Sequence, residues 1–181
     1  MTIAEYLSKM KGGGKSPPGV GVSEMFWSWL GATIGVVSCA LLAAKYFEPH
    51  AIPFLIGSFG SSAGLLYAAY KSPLAQPRNL VGGHIIGGLV GVACQQMFGN
   101  VTWVAASLAV SLAIVAMLAT KTLHPPAGAT ALIAIIGGPQ IHHLGFIYPF
   151  FPVGAGVVLL LIVALVVNNF SENRKYPEYW L

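Results

Sequence analysis

The chain has 181 residues, of which only 8% are charged and 56% are hydrophobic, and its mean hydropathy is +0.75. Nine Lys and Arg against five acidic residues give a formal net charge of +4. Since a soluble domain usually carries about a quarter charged residues, this composition excludes soluble, disordered and nucleic-acid-binding classes. It predicts an all-α, polytopic membrane protein.

The predicted organisation is a cytoplasmic N-terminal tail (1–23), a transmembrane domain (24–170) and a cytoplasmic C-terminal tail (171–181). About six apolar segments lie in or near this domain, and about 20 residues are needed for each full crossing. They cover residues 26–47, 51–70, 79–98, 101–120, 125–137 and 146–168. We expect the second and fifth segments to be short or broken helices, because Pro53 interrupts the second and Gly137 ends the fifth early.

The positions of Lys and Arg favour six crossings. If all six segments cross with the N-terminus inside, eight of the nine positive charges lie on the inner side, as the positive-inside rule predicts. These eight are Lys9, Lys11, Lys15, Lys71, Arg78, Lys121, Arg174 and Lys175. If the second and fifth segments only re-enter, the same nine charges divide five to four. We therefore expect both termini in the cytoplasm.

The two halves of the chain show the same order of a long, a short broken and a long segment. A shift of 66 residues places residues 59–66 on residues 125–132. Because each half has three crossings, the second copy would be inverted, as in many transporters whose substrate site lies between broken helices. The alternative is a chance likeness between two segments rich in Gly and Ala.

The sharpest motif, Lys-Thr-Leu-His-Pro-Pro-Ala-Gly-Ala-Thr, covers residues 121–130. Pro125 and Pro126 should end one helix and start the next. The new helix N-terminus would offer poorly covered amides and a positive dipole end to an anion. The predicted ligands here are Lys121, His124, Ala127, Gly128 and Thr130. The alternative is a proline-capped helix start with a structural histidine.

A second set of small polar residues lies in the second segment and would face the first motif. The predicted ligands there are Ser58, Gly60, Ser61 and Ser62. The alternative is close helix packing through Gly60 and Gly64, which form a GxxxG pair. Residues 60–64 also match G-x-S-x-G, but the nucleophile elbow needs a strand-to-helix turn and an acidic partner. An intramembrane serine hydrolase is therefore the weakest alternative, and we predict no enzyme activity.

The third segment carries His84, an ionisable side chain inside a membrane span. Burying such a residue is costly, so we predict that His84 faces the bundle interior and lines the anion path as a binding residue. The alternative is that a neighbouring carbonyl satisfies the His84 imidazole. Arg78 and Asn79 precede it as structural motif residues. The stripe of Gly83, Gly87 and Gly91 predicts close helix contacts, within the subunit or in a homo-oligomer.

The acidic residues are placed where they cannot serve a cation path. The chain has no Asp, and Glu5, Glu24, Glu48, Glu172 and Glu178 all lie in tails or at segment ends. Cation carriers commonly hold a carboxylate at mid-membrane, so an anion or a neutral solute fits better. His50, His142, His143, Cys39 and Cys94 lack metal-ligand spacing, and we predict neither a metal nor a cofactor.

Two motifs of the chain carry a resemblance to a known family. One is residues 123–132 (Leu-His-Pro-Pro-Ala-Gly-Ala-Thr-Ala-Leu), and the other is residues 72–79 (Ser-Pro-Leu-Ala-Gln-Pro-Arg-Asn) with the following Gly82-Gly83-His84. In both motifs the chain resembles the HPP family of integral membrane proteins. The resemblance covers most of residues 25–170. It implies a small multi-span bundle, for which nitrite transport has been proposed in cyanobacterial membranes and in the chloroplast inner envelope. The absence of a transit-like extension favours a bacterial plasma membrane.

Together these features predict a transporter for a small inorganic anion, most simply nitrite, bound between the turns at residues 58–62 and 124–130. Whether it is a channel or a carrier stays open at this stage. A scaffold subunit without transport activity is the main alternative.

Overall fold

The computed structural model describes residues 1–47 and 57–181, and this part of the chain is helical with no β-strand, as predicted. Pro53, His50 and Glu48, with the first part of the second segment, lie outside the described residues. In chain order the helices are α1 (Ile3–Ser8), α2 (Val22–Leu42), α3 (Gly57–Ala63), α4 (Pro77–Phe98), α5 (Thr102–Ala119), α6 (Pro126–Ile136), α7 (Pro139–Leu144) and α8 (Ala155–Phe170).

π-Helical turns extend three of these helices. Ala43–Phe47 continues α2, Gly64–Ala68 continues α3, and Pro149–Gly154 leads into α8. Four described helices, two of them counted with these turns, are long and apolar enough to cross a membrane. They are Val22–Phe47, Pro77–Phe98, Thr102–Ala119 and Pro149–Phe170.

The fifth segment is short and broken, as its sequence predicts. After α6 the chain bends by 99° into residues 139–147, so the pair is either one broken span or a re-entrant loop. Gly138 makes the bend with φ of +82°, which glycine adopts without strain, and Pro139 starts the next helix. The described residues thus hold four candidate spans, or five if the bent pair is one span. A sixth crossing stays a prediction.

The glycine stripe of α4 packs inside the subunit against the fifth segment. A Cβ atom added at Gly83 would lie 2.7 Å from the Cβ of His124, and one at Gly87 would lie 2.5 Å from the carbonyl oxygen of Ala127. A Cβ at Gly91 would meet the carbonyl of Ala131 at 2.6 Å. The stripe therefore lets α4 and α6 touch through their backbones and is already used within the fold.

Substituting Gly87 with alanine should lower the free energy of unfolding by about 1–3 kcal/mol, because its methyl group would press on a backbone carbonyl that cannot move alone. Gly64→Ala is the matched control, since a Cβ there meets no atom within 4 Å. Thermal unfolding of the purified variants in detergent measures both effects. Equal losses in both variants would contradict the packing explanation.

Arg174 joins the ends of three helical segments at one end of the bundle. Its Nη2 lies 2.8 Å from Oε1 of Glu24, at the start of α2, and also donates to Ser28 Oγ at 2.8 Å. Its Nη1 donates to the carbonyl of Tyr67 at 3.1 Å and to Oδ1 of Asn168, near the end of α8, at 3.0 Å. The start of α2, the extension of α3 and the end of α8 therefore meet at one end, named here the Arg174 end.

The C-terminal residues pack onto the turn between α3 and α4. The Tyr176 hydroxyl donates to the Ala75 carbonyl at 2.8 Å, and the Glu178 amide donates to Oε1 of Gln76 at 2.8 Å. From sequence, Tyr176, Tyr179 and Trp180 are typical of aromatic residues that anchor a chain at the membrane surface. Tyr176 instead is only 2% exposed and contacts the protein itself. The predicted N-terminal tail is exposed throughout and contains α1, the 3-10 turn Lys9–Lys11 and the first two residues of α2.

Candidate functional site: a buried histidine cluster

The described part of the chain brings five polar side chains together inside the bundle, each 0% exposed. The members of this histidine cluster are Ser58, Ser62, His84, His124 and Thr130. All five were predicted as binding residues from the sequence. They come from three segments that are distant in sequence, so their meeting is a property of the fold.

Local sequence explains how each segment presents its members. Ser58 and Ser62 are four residues apart and therefore share one face of α3. Gly83 leaves room for His124 beside α4, and Pro125 starts the turn that leads from His124 into α6. The small residues of α4 thus allow two imidazole rings to lie with centroids 5.1 Å apart.

Ser62 bridges the two histidines. Its Oγ lies 2.9 Å from Nε2 of His84 and 3.0 Å from Nε2 of His124. The other ring nitrogen of His124, Nδ1, donates to the carbonyl oxygen of Leu74 at 2.7 Å. One hydroxyl is therefore shared between two imidazoles, and one of these is fixed by a backbone acceptor.

The second imidazole continues the chain of hydrogen bonds toward α6. Nδ1 of His84 lies 2.7 Å from Oγ1 of Thr130, and the Thr130 hydroxyl donates to Oγ of Ser58 at 2.9 Å. The Thr130 carbonyl accepts a hydrogen bond from the Tyr148 hydroxyl at 3.0 Å. No buried side-chain nitrogen or oxygen in the described residues is without a partner, which a polar cluster needs in an apolar setting.

The cluster contains no fixed charge. Of the four glutamates among the described residues, Glu24 pairs with Arg174, while Glu5, Glu172 and Glu178 are exposed. None of them contacts the histidines. The only basic groups in the cluster are the two imidazoles.

Two predicted ligands of the second segment lie on the other face of α3. Gly60 and Ser61 are exposed, while Ser58 and Ser62 are buried. Because a helix turns by about 100° per residue, neighbouring serines cannot both face the same site. The structure therefore brings Ser62 to the histidines and leaves Ser61 and Gly60 away from them.

The start of α6 differs from the expected anion-binding helix end. The Ala127 amide donates to the His124 carbonyl at 2.9 Å, and the Gly128 amide donates to the Pro125 carbonyl at 3.0 Å. The Pro-Pro step curls the chain tightly enough for these donors to be engaged in the turn itself. Gly128 also faces an apolar groove between α5 and α6, which contains Val110.

The remaining predicted residues lie at the end of α5 and the start of α4. Arg78 donates to the Thr120 carbonyl at 3.1 Å, and Asn79 donates to the Leu123 carbonyl at 2.9 Å. Lys121 is exposed with φ of +57°. Arg78 and Asn79 thus hold the turn that carries His124, and Lys121 contributes positive charge at its surface.

Comparison with known proteins identifies the family. The model of the HPP transmembrane region matches residues 17–177. The chain belongs to the HPP family. The two motifs that carried the resemblance touch each other, because the Leu74 carbonyl of one accepts the hydrogen bond from His124 of the other.

Two relatives of this HPP protein are transmembrane proteins of Dictyostelium discoideum. One is 49% identical over an alignment of 179 positions that covers 97% of this chain and 57% of the relative. The other is 42% identical over an alignment of 185 positions that covers 99% of this chain and 65% of the relative. The chain thus spans less than two thirds of the length of these curated relatives. No solved structure matches it significantly.

The other two histidines of the described residues, His142 and His143, are separate from the cluster. His142 donates to the Ile135 carbonyl at 2.9 Å, and His143 is exposed on α7. The described residues contain no group of three His, Cys, Asp or Glu side chains suited to a metal ion. Cys39 and Cys94 are buried free thiols that form no disulfide bond.

Two parts of the cluster's surroundings were not foreseen. The Leu74 carbonyl is a backbone acceptor and leaves no mark in the side-chain pattern. Tyr148 directly precedes Pro149 in an apolar run, and only its position beside that break could have pointed to a buried hydroxyl.

Proposed function

We propose that this HPP protein moves a small inorganic anion, nitrite or an ion of similar size, across a membrane, with the histidine cluster on its path. The observation that carries the proposal is the complete burial of two imidazoles and three hydroxyls within an apolar bundle. Polar and ionisable groups are costly in a membrane and commonly mark a substrate path.

The chemistry of the cluster favours an anion over a cation. Its hydroxyl and imidazole groups can donate hydrogen bonds, and the described residues place no carboxylate beside them. Arg78 and Lys121 lie beside the turn that carries His124 and give positive potential where an anion would approach. A cation site would instead need carboxylates or other acceptors in the cluster and no positive charge nearby.

The paths of α3 and α6 support the inverted repeat and six crossings. Ser58 meets Thr130 and Ser62 meets His124, so the two segments run antiparallel across the cluster. Segment two would then carry the chain back to the Arg174 end, where the start of α2 and the end of α8 also lie. We propose that this end, and with it both termini, faces the cytoplasm.

Burial of the whole cluster favours a carrier that opens alternately to the two sides over an open channel. We propose a homo-oligomer as well, although Gly83, Gly87 and Gly91 are used within the subunit. A bacterial plasma membrane stays a prediction, and the two relatives come from a eukaryote. Imaging of the tagged protein in its own cells decides the location.

Nitrite entry into proteoliposomes tests the transport proposal. We expect saturable entry in vesicles that contain the purified protein, faster than entry of nitrate, chloride and formate, and absent from protein-free vesicles. No entry of any of these anions, with protein shown to be folded by its thermal unfolding transition, would overturn the proposal in favour of a scaffold role.

The contact between Ser62 and the histidines also has the geometry of a nucleophile and its base. It therefore gives the hydrolase alternative one specific observation. Because Ser62 is fully buried, we propose that it is not an enzyme nucleophile and expect no labelling by a fluorophosphonate probe. Labelling that is lost in Ser62→Ala would favour the hydrolase.

A further inference from the structure

We infer that His84 and His124, bridged by Ser62, form a binding site for one proton. This proton binds together with the transported anion. The inference deepens the proposed function and rests on it. It follows from counting the hydrogens available to the cluster's own hydrogen bonds.

The two outer nitrogens of the histidine pair both donate. Nδ1 of His124 faces the Leu74 carbonyl, which can only accept. Nδ1 of His84 faces Thr130, whose single hydroxyl hydrogen is directed to Ser58, so this nitrogen must donate as well. The protonation of both rings is assigned by these partners.

The two inner nitrogens then compete for one hydrogen. When both rings are neutral and protonated at Nδ1, each Nε2 can only accept. Both face the Ser62 oxygen, at 2.9 Å from His84 and 3.0 Å from His124, and Ser62 has one hydrogen to give. One of the two contacts therefore lacks a hydrogen. One added proton, on either Nε2, completes both bonds.

The groups packed around the pair offer no countercharge for that proton. The Tyr148 phenol donates to the carbonyl of the cluster residue Thr130 at 3.0 Å. The Tyr67 phenol, farther along the α3 segment, lies against α2 and donates to the Leu160 carbonyl at 3.2 Å. Arg78 and Lys121, at the turn, are themselves positive. In the described residues no carboxylate faces the histidines from α3, α4, α5, α6 or α8.

A proton alone would therefore place an unpaired positive charge in the apolar bundle, which is strongly unfavourable. An anion alone would place an unpaired negative charge there. Binding both together cancels the charge, so each raises the affinity for the other by the same factor. The proton comes from water as an N–H bond forms at Nε2, and it returns to water when the anion leaves. No bond of the anion changes.

Calorimetry of nitrite binding in buffers that differ in ionisation enthalpy counts the protons taken up. With purified protein near neutral pH we expect uptake of about one proton for each nitrite bound, and the same for the control His143→Gln, whose side chain is exposed on α7. Nitrite binding without proton uptake would overturn this inference and leave the transport proposal standing. Absence of binding by nitrite, nitrate and formate would overturn both.

A second measurement needs no anion. Nitrogen NMR of ¹⁵N-histidine-labelled protein above neutral pH should show both cluster imidazoles protonated at Nδ1, with assignments from His84→Gln and His124→Gln. An Nε2–H tautomer for either ring would overturn the count. In Ser62→Ala the shared hydrogen is lost, and we expect proton uptake per nitrite to change while the His143 signals stay the same.

Discussion

Replacing His124 with glutamine should lower nitrite entry into proteoliposomes about tenfold or more. The substitution removes a ring that joins the Leu74 carbonyl to the Ser62 hydroxyl. A buried polar group left without its partner costs about 1–3 kcal/mol, and about 1.4 kcal/mol corresponds to a factor of ten in rate. Initial rates over a range of nitrite concentrations measure the effect.

His143→Gln is the matched control for that experiment. It makes the same chemical change on an exposed residue of α7, so transport should stay at the wild-type rate. Thermal unfolding of each variant separates loss of transport from loss of folding. Wild-type transport in both His124→Gln and His84→Gln would show that the histidine cluster is not on the path.

Replacing Arg174 with alanine should lower the free energy of unfolding by about 3 kcal/mol, the low end of the range for breaking a buried ion pair. The Arg174 side chain is 0% exposed, and removal leaves Glu24, Asn168 and the Tyr67 carbonyl without their donor. We take the low end because the Glu24 side chain is 31% exposed and can still reach water. Thermal unfolding in detergent, followed by circular dichroism, measures the loss.

Lys175→Ala provides the control for Arg174. It removes a neighbouring positive charge that is exposed, and its effect should be close to zero. A loss of stability as large as that of Arg174→Ala would mean that charge at this end of the bundle matters, rather than the specific hydrogen bonds of the guanidinium.

The sequence was sufficient to locate the four long helices and the break that ends the fifth segment. Long apolar runs predicted the four long spans, and the Pro125-Pro126 pair marked the start of α6 within about one residue. The sequence also selected both buried histidines, because an ionisable residue in an apolar run has a strong reason to be kept from lipid. These properties depend on local composition, which one sequence displays.

Which face of a short helix points inward could not be read in the same way. Gly60, Ser61 and Ser62 have similar polarity, and only Ser62 contacts the histidines. The rotation of α3 is set by contacts far along the chain, such as Phe59 against Gly156. Backbone partners such as the Leu74 carbonyl were likewise hidden, since every residue offers one.

Arg174 shows how a correct general rule can hide a specific role. The sequence counted it as one of several inner positive charges, whereas the structure buries its side chain among three helical segments. Asn168, which accepts a hydrogen bond from Arg174, was the residue in the sequence that indicated a buried polar contact. A buried amide near the end of a largely apolar α8 needs a polar partner.

The bond between Arg174 and Glu24 also sets an order of events during biosynthesis. The two residues are separated by 150 positions, so the ribosome makes the guanidinium long after α2 has entered the membrane. At about 5–20 residues per second the delay is on the order of ten seconds. During that interval the Glu24 carboxylate must rely on water or lipid head groups, whereas the Ser28 hydroxyl already donates to the Glu24 carbonyl within α2. The contacts between α2 and α8 form only after α8 has been inserted.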